Sequence, residues 1–332
     1  FNNPPAKAQE IISAGDVPLG TQGNLFGITG GEGTGKSNYV AAIVAGCICP
    51  AGADIDTLGI QITANGRHKA VLLYDTEQSE VQLFKNVSNL LARAKQPDKP
   101  DELKAFCLTG MSRKERLNAI VQSMDKFYYQ YGGIQLVVID GIADLVKSAN
   151  DEAESVAVID ELYRLAGIYN TCILCVLHFV PNGLKLRGHL GSELQRKAAT
   201  ILSIEKDEEP TQSVVKALKV RDGSPLDVPL MLFAWDKEAG MHVYKGEKPR
   251  EEKEKRKERE LVNVARDIFG RQTRITYIDL CEQLQQVLDI KERTAKSYIR
   301  FMRERDIITK DTANQSCFVI GSYHLQRNAS CP

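Results

Sequence analysis

Residues 30 to 37 read Gly-Gly-Glu-Gly-Thr-Gly-Lys-Ser. The stretch fits G-x-x-x-x-G-K-[ST], with Gly30, Gly35, Lys36 and Ser37 at the required places. Such a loop turns successive backbone N–H groups inward, around phosphate oxygens. Gly31, Glu32, Gly33 and Thr34 form its interior, and Asn38 follows it. Lys36 then reaches the β- and γ-phosphates of a nucleotide, and the Ser37 hydroxyl ligates Mg²⁺. ATP with Mg²⁺ is the expected ligand. The pattern is short enough to arise by chance, so its flanks decide. Leu25 to Thr29 is an apolar, strand-like run, and Asn38 to Ile48 is an Ala/Val/Ile-rich run suited to a buried helix. The start of that helix adds its own attraction for anions.

Strand and helix patterns alternate from there. Ala70–Tyr74, Ile134–Ile139 and Cys172–Leu177 are continuous apolar runs of the kind central parallel strands show, and Ala105–Leu108 reads as a shorter one. Between them, 81–95, 114–129 and 156–169 carry helical spacing, the first at Val81, Phe84, Val87, Leu90 and Leu91. This alternation predicts an α/β fold with a parallel sheet covered on both faces, and ligands at the carboxyl ends of its strands. Beyond Thr200 the pattern changes: 200–205, 213–220 and 230–235 read as a strand meander on the sheet's edge.

Two acidic motifs follow strands. Leu136-Val-Val-Ile-Asp140 delivers one carboxylate to the loop end, where an Asp supports Mg²⁺ together with the Ser of the phosphate loop. Tyr74-Asp-Thr-Glu77 offers a carboxylate that could polarise the water attacking a γ-phosphate. Asp75 competes with Glu77 for that role. A purely structural reading also stands, with Thr76 or Ser79 capping a helix and Glu77 a first-turn acid.

Taken together, the phosphate loop, the strand followed by Asp-Thr-Glu, and Val-Val-Ile-Asp resemble the RecA-type ATPase core. The resemblance implies that Glu77 is the catalytic base. Downstream, Ile139-Asp-Gly-Ile-Ala-Asp-Leu-Val, Asn150-Asp151, Cys175-Val-Leu-His178 and Leu186-Arg-Gly-His-Leu-Gly191 are similar to the RepA-like branch of hexameric helicases, over about residues 10 to 240. In that family the position of His178 is a sensor that contacts the γ-phosphate. Lys219-Val-Arg221 is similar to the family's Lys-x-Arg, and two residues apart on a strand project to one side. The resemblance implies that both reach into a neighbouring subunit's site, in a homo-oligomeric ring, a hexamer. Residues 180 to 191 are expected to form a flexible, basic loop, with Lys185 and Arg187 gripping single-stranded DNA in the ring channel. Relatives commonly carry a Gly-Ser run where this chain has Gly-His-Leu-Gly.

The tail reads as a separate domain. The whole chain balances 43 Lys and Arg against 43 Asp and Glu, whereas 245–332 holds 19 against 14. Domain limits follow: an ATPase domain at 1–244, a charged linker or exposed helix start at 245–260, a three-helix unit at 261–326 and a tail at 327–332. Helices are expected at 261–269, 277–288 and 291–303, and a strand at 318–320 after a polar turn, which makes a winged helix-turn-helix. In the third helix Ala295, Tyr298, Ile299 and Met302 suit a buried face. Arg293, Lys296, Ser297 and Arg300 suit an exposed face able to enter the major groove of duplex DNA.

No apolar run reaches transmembrane length, and the cysteines form no metal or disulfide pattern, so a cytoplasmic location is expected. The expected function is ATP-driven helicase or translocase work in replication of a plasmid-like or mobile element. The alternative is a DNA-bound ATPase switch (partition, regulatory or loader) that does not unwind.

Overall fold

The computed structural model describes residues 7–178, 188–221, 223–249, 253–270, 272–312 and 314–322. The chain divides into two compact units, Phe1–Lys248 and Pro249–Pro332. The first opens with β1 (Glu10–Ala14), β2 (Val17–Thr21), β3 (Leu25–Gly30), α1 (Lys36–Ile48), β4 (Gln61–Ile62), β5 (Ala70–Asp75), α2 (Glu80–Arg93) and β6 (Leu103–Cys107). It continues with α3 (Arg113–Tyr131), β7 (Ile134–Asp140), a 3-10 turn (Ile142–Leu145), α4 (Glu152–Ile168), β8 (Cys172–His178), α5 (Gly188–Lys197), β9 (Thr200–Lys206), β10 (Gln212–Val220), β11 (Leu230–Asp236) and β12 (Met241–Lys248).

The apolar runs do lie side by side. One nine-stranded sheet has the order β12-β11-β10-β9-β3-β8-β7-β5-β6. From β9 through β6 the pairings are parallel, and from β9 to β12 they are antiparallel. Successive strand residues face opposite ways, so each run feeds two cores at once. Val71, Leu73, Leu136 and Val138 pack with α1 and with Leu83 and Leu90 of α2. Their neighbours Leu72, Val137 and Ile139 pack on the other face with Ile120 and Met124 of α3, Ile159 and Leu162 of α4, and Leu194 of α5. This is the α/β, RecA-like P-loop architecture. A small sheet, β2-β1-β4, adds Ile11, Ile12 and Leu19 to the first core.

Serine and aspartate side chains start three of the helices. Ser79 accepts from the Gln82 N–H before α2, Ser112 and Glu115 form a reciprocal box before α3, and Asp151 accepts from the Glu154 N–H before α4. In α2 the buried face is centred on Leu83 and Leu90, with Val87 and Leu91 partly covered, while Val81 and Phe84 are exposed. Helical spacing had grouped Val81 and Phe84 with Val87, Leu90 and Leu91, and had not included Leu83.

Other expectations change as well. The meander does form one edge of the sheet, but β12 is its outermost strand, so β10, which carries Lys219, lies inside that edge. β12 escapes a sequence reading because Met-His-Val-Tyr-Lys-Gly-Glu-Lys is half-exposed and carries little apolar alternation. Residues 188–191, expected in a flexible loop, open α5, whose Leu190 and Leu194 are buried. The charged stretch 245–260 is divided between the end of β12 and the start of the next helix.

That helix, α6 (Lys253–Phe269), begins the second unit, followed by β13 (Ile275–Thr276), α7 (Tyr277–Leu288), α8 (Glu292–Glu304), β14 (Ile308–Lys310) and β15 (Cys317–Ile320). Three helices cover a three-stranded antiparallel sheet of order β13-β15-β14. Leu261, Ala265, Ile268, Leu284, Ile299, Met302 and Phe318 are among the residues of its core. Asp289, at a left-handed φ of 49°, ends α7 and lets α8 start three residues later.

Candidate active site

The loop between β3 and α1 is shaped by close approaches. Gly35 sits at φ 94°, and a Cβ there would lie 2.8 Å from Cε2 of Phe233. At Gly30 a Cβ would meet the main-chain oxygen of Ile204 on β9. Gly33 also has a positive φ, of 67°. Thr34 Oγ1 donates to Gly31 O at 3.0 Å and closes the loop on itself. Unlike α2, α3, α4 and α7, helix α1 has no side-chain cap. Its first-turn N–H groups have no intrahelical acceptor, which leaves them to a ligand. Ser37 is exposed in that first turn, Asn38 is half-exposed beside it, and Glu32 and Gly33 are exposed in the loop. Lys36 is buried, and its Nζ donates to Gly30 O at 3.0 Å and to Gly31 O at 2.6 Å. Burial lowers the proton affinity of the ammonium; Asp140, Glu77 and Glu32 work against that.

Four strand ends converge beside this loop. Gly30 is level with His178 across the β3–β8 ladder, Asp140 with Val176 across β7–β8, and Asp75 with Asp140 across β5–β7. Burial, then the charges of Asp75 and Glu77, push the Asp140 carboxyl up to about 7, against the pull of Lys36 and His178. A carboxyl so destabilised as an anion is poised to exchange its proton for a cation.

Asp75 and Glu77 part company here. Asp75 is 3% exposed, and its Oδ1 accepts from the Glu77 N–H at 3.0 Å and the Gln78 N–H at 2.8 Å. Burial, more than any neighbouring charge, raises its proton affinity; the two N–H groups oppose this. Asp75 therefore builds the turn. Glu77 projects from it, with its side chain 35% exposed, and its Oε2 lies 3.3 Å from His178 Nε2. An ionised carboxylate only accepts, so Nε2 is the donor in this pair. The N-cap expected at Thr76 or Ser79 falls to Ser79.

Among the described residues no cluster of three or more His, Cys, Asp or Glu could cage a metal. One buried carboxylate and one hydroxyl suit a different case. Mg²⁺ carried by nucleotide phosphates takes one or two protein ligands and keeps several waters. Asp140 and Ser37 fit that role, and the ion would supply charge neutralisation at the phosphates.

Lys219 and Arg221 lie elsewhere. β10 runs antiparallel to β9 and ends level with Thr200, at the opposite end of the sheet from the phosphate loop. Lys219 Nζ donates to Gln195 O at 2.7 Å and Arg196 O at 3.1 Å. Arg221 donates to Lys197 O at 2.7 Å and, more weakly, to Asn24 Oδ1 at 3.5 Å. Both side chains thus turn to one side and meet the C-terminal carbonyls of α5. Lys185 and Arg187 lie outside the described residues.

In the second unit Arg293, Lys296, Ser297 and Arg300 are all exposed on α8, and Ala295, Ile299 and Met302 are buried. Lys296 pairs with Glu292 at 2.7 Å and Arg300 with Glu304 at 2.8 Å. Sequence reasoning missed Arg303 and Lys310, which line a groove of about 510 Å³ with Arg300 and Thr309. The signal was available in Arg303, one turn beyond Arg300.

None of the curated proteins matches this chain. Among solved structures, a KaiC-like protein from the hyperthermophilic archaeon Pyrococcus horikoshii is similar at 14% identity and a TM-score of 0.48, covering 73% of this chain and 100% of its own. Residues 1–182 match the family described as AAA domain, more than half of the chain, and the protein belongs to that family of P-loop ATPases.

Proposed function

We propose that this protein hydrolyses ATP to drive movement on DNA, as a ring-forming helicase or translocase serving replication of a plasmid-like or mobile element. The observation that carries the hydrolytic part is the convergence of Lys36, Glu77, Asp140 and His178 at neighbouring strand ends. Lys36 and the loop N–H groups hold the phosphates; Ser37 and Asp140 hold the Mg²⁺. Glu77 orients and deprotonates the attacking water, while Asp75 is engaged in the turn. His178, on Glu77 and level with Gly30, senses the γ-phosphate.

The DNA part is supported by the second unit. Three helices, a strand-turn-strand and a basic exposed face on α8 fit a winged helix-turn-helix, with Arg293, Lys296, Ser297 and Arg300 toward duplex DNA. In a ring, probed below, Lys219 and Arg221 of one subunit complete the next subunit's site, and Lys185 and Arg187 contact the single strand. The i,i+4 pairing of Lys296 and Arg300 with glutamates favours a second reading, a DNA-bound switch whose α8 binds weakly.

Displacement of a strand from a forked duplex, followed with ATP turnover, separates the two. The expected result is ATP-dependent displacement, abolished in Lys36→Ala. In Glu77→Gln, nucleotide still binds, and turnover falls by roughly 10²-fold or more. DNA-stimulated turnover without displacement would select the switch, and near-normal turnover in Glu77→Gln would remove Glu77 from the chemistry.

A further inference from the structure

Gly141, the residue after Asp140, has φ −131° and ψ 125°. The space where its side chain would stand is already taken. A Cβ at Gly141 would collide with Glu77 Oε1, lie 2.9 Å from Glu77 Cδ and 3.4 Å from its Cγ. The carboxylate of Glu77 therefore rests against the bare Cα of the residue that follows the metal-side aspartate.

The other side of the same contact is held by Thr76. Its N–H donates to Asp140 O at 2.8 Å. Its hydroxyl donates to Gly141 O at 2.8 Å and accepts from the Gly141 N–H at 3.2 Å. Thr76 is 2% exposed, so this tie is made out of water. Glu77 follows Thr76 directly, and its own N–H is held by Asp75. The backbone of Glu77 is thus fixed relative to the end of β7, and the absent Cβ of Gly141 leaves room for its side chain, which also reaches His178.

We propose that Gly141 and Thr76 are positioning residues for Glu77: the tie fixes where the carboxylate starts, and the missing Cβ fixes where it ends. This rests on the reading of Glu77 as the group that activates water. A methyl at Gly141 meets the far end of a flexible side chain, which swings away without unfolding the strand. Phosphate contacts through Lys36 and the loop are untouched.

The test uses the full chain and measures three quantities: equilibrium affinity for a fluorescent ATP analogue, kcat and KM for ATP with single-stranded DNA present, and the melting temperature. Gly141→Ala is expected to bind nucleotide and melt as the parent does, while kcat falls by roughly 10²-fold, the scale of a misplaced catalytic group. Thr76→Val should lower kcat in the same direction, and Thr76→Ser, which keeps the hydroxyl, should restore most of it. In a Glu77→Gln background, Gly141→Ala should change nothing further, because the group it displaces is already inactive.

Parent-like kcat in Gly141→Ala, or a loss equal in KM and in melting temperature, overturns the proposal. If Gly141→Ala does not fold, the Thr76→Val and Thr76→Ser pair decides alone: equal activity in both overturns it. Glu77→Gln measured alongside separates the two levels. Retained turnover there defeats the reading of Glu77 itself, whereas a silent Glu77→Gln beside an active Gly141→Ala defeats only the positioning.

Discussion

Two carboxylates within three residues have been given different work by a handful of hydrogen bonds. Asp75 accepts two N–H groups of its own turn, and Glu77 leaves the turn for the cleft. Asp75→Asn keeps an acceptor oxygen, so kcat should stay within a few-fold of the parent. Asp75→Ala strands two N–H groups and should lower stability by about 1–3 kcal/mol, read by denaturant unfolding. Loss of turnover in Asp75→Asn with unchanged stability would return the base role to Asp75. The motif alone left both acids open and only the resemblance favoured Glu77; Asp75 ends β5 and Glu77 stands two residues on, and what the structure adds is the direction of each side chain. The phosphate loop was legible for the opposite reason: its residues form one recognisable pattern, and its chemistry lies within eight consecutive residues.

At the scale of elements, the continuous apolar runs of β3, β5, β7 and β8 were readable because burial on both faces leaves no polar position to confuse. β12 was not, because it is half-exposed with little apolar alternation, nor was the opening of α5, which is held by residues further back in the chain such as Ala149. Lys219 and Arg221 show the same limit. Their spacing was legible, but their carbonyl partners on α5 were not. Those bonds satisfy the last carbonyls of a helix and complement its dipole. Arg221→Ala should therefore cost about 1 kcal/mol of stability in the isolated subunit, read as a lower denaturant midpoint. Its nucleotide affinity should stay as in the parent, while turnover in the assembly falls. Mixing Arg221→Ala with Lys36→Ala protein should recover activity, since some interfaces of a mixed ring carry both halves intact. Mixed assemblies that form but remain inactive at every ratio would leave Arg221 with its structural role alone.

Across the whole molecule, the two units make separable claims. Residues 249–332 hold a core of their own and should fold when expressed alone. Duplex affinity should fall with salt, at a slope of about −0.9 per phosphate contacted. Lys296→Ala with Arg300→Ala should flatten that slope without unfolding the unit. A folded double variant that binds as the parent would move the contact to Arg303 and Lys310, or to a protein partner. In the first unit, His242 gives acid sensitivity. Burial first, then the charges of Arg93 and Lys206, lower its pKa below 6.5. The unfolded chain therefore takes up a proton that the folded one refuses, and stability present above 6.5 is lost as pH falls through the lowered value. From about pH 7.5 to about pH 5, the melting temperature of the parent should drop further than that of His242→Gln.

The meeting of the candidate catalytic groups at strand ends also dictates how this chain can change length. A strand is counted in whole residues: removing one from the middle of β7 would draw Asp140 back by about 3.3 Å and turn it to the other face of the sheet. No side-chain adjustment recovers that. A scan of single-residue deletions should therefore find β3, β5, β7 and β8 intolerant in ATP turnover, and the segments 50–54 and 95–102, which no candidate site residue occupies, permissive. The gene can lengthen or shorten around this site, but only in the stretches where nothing has to arrive in step.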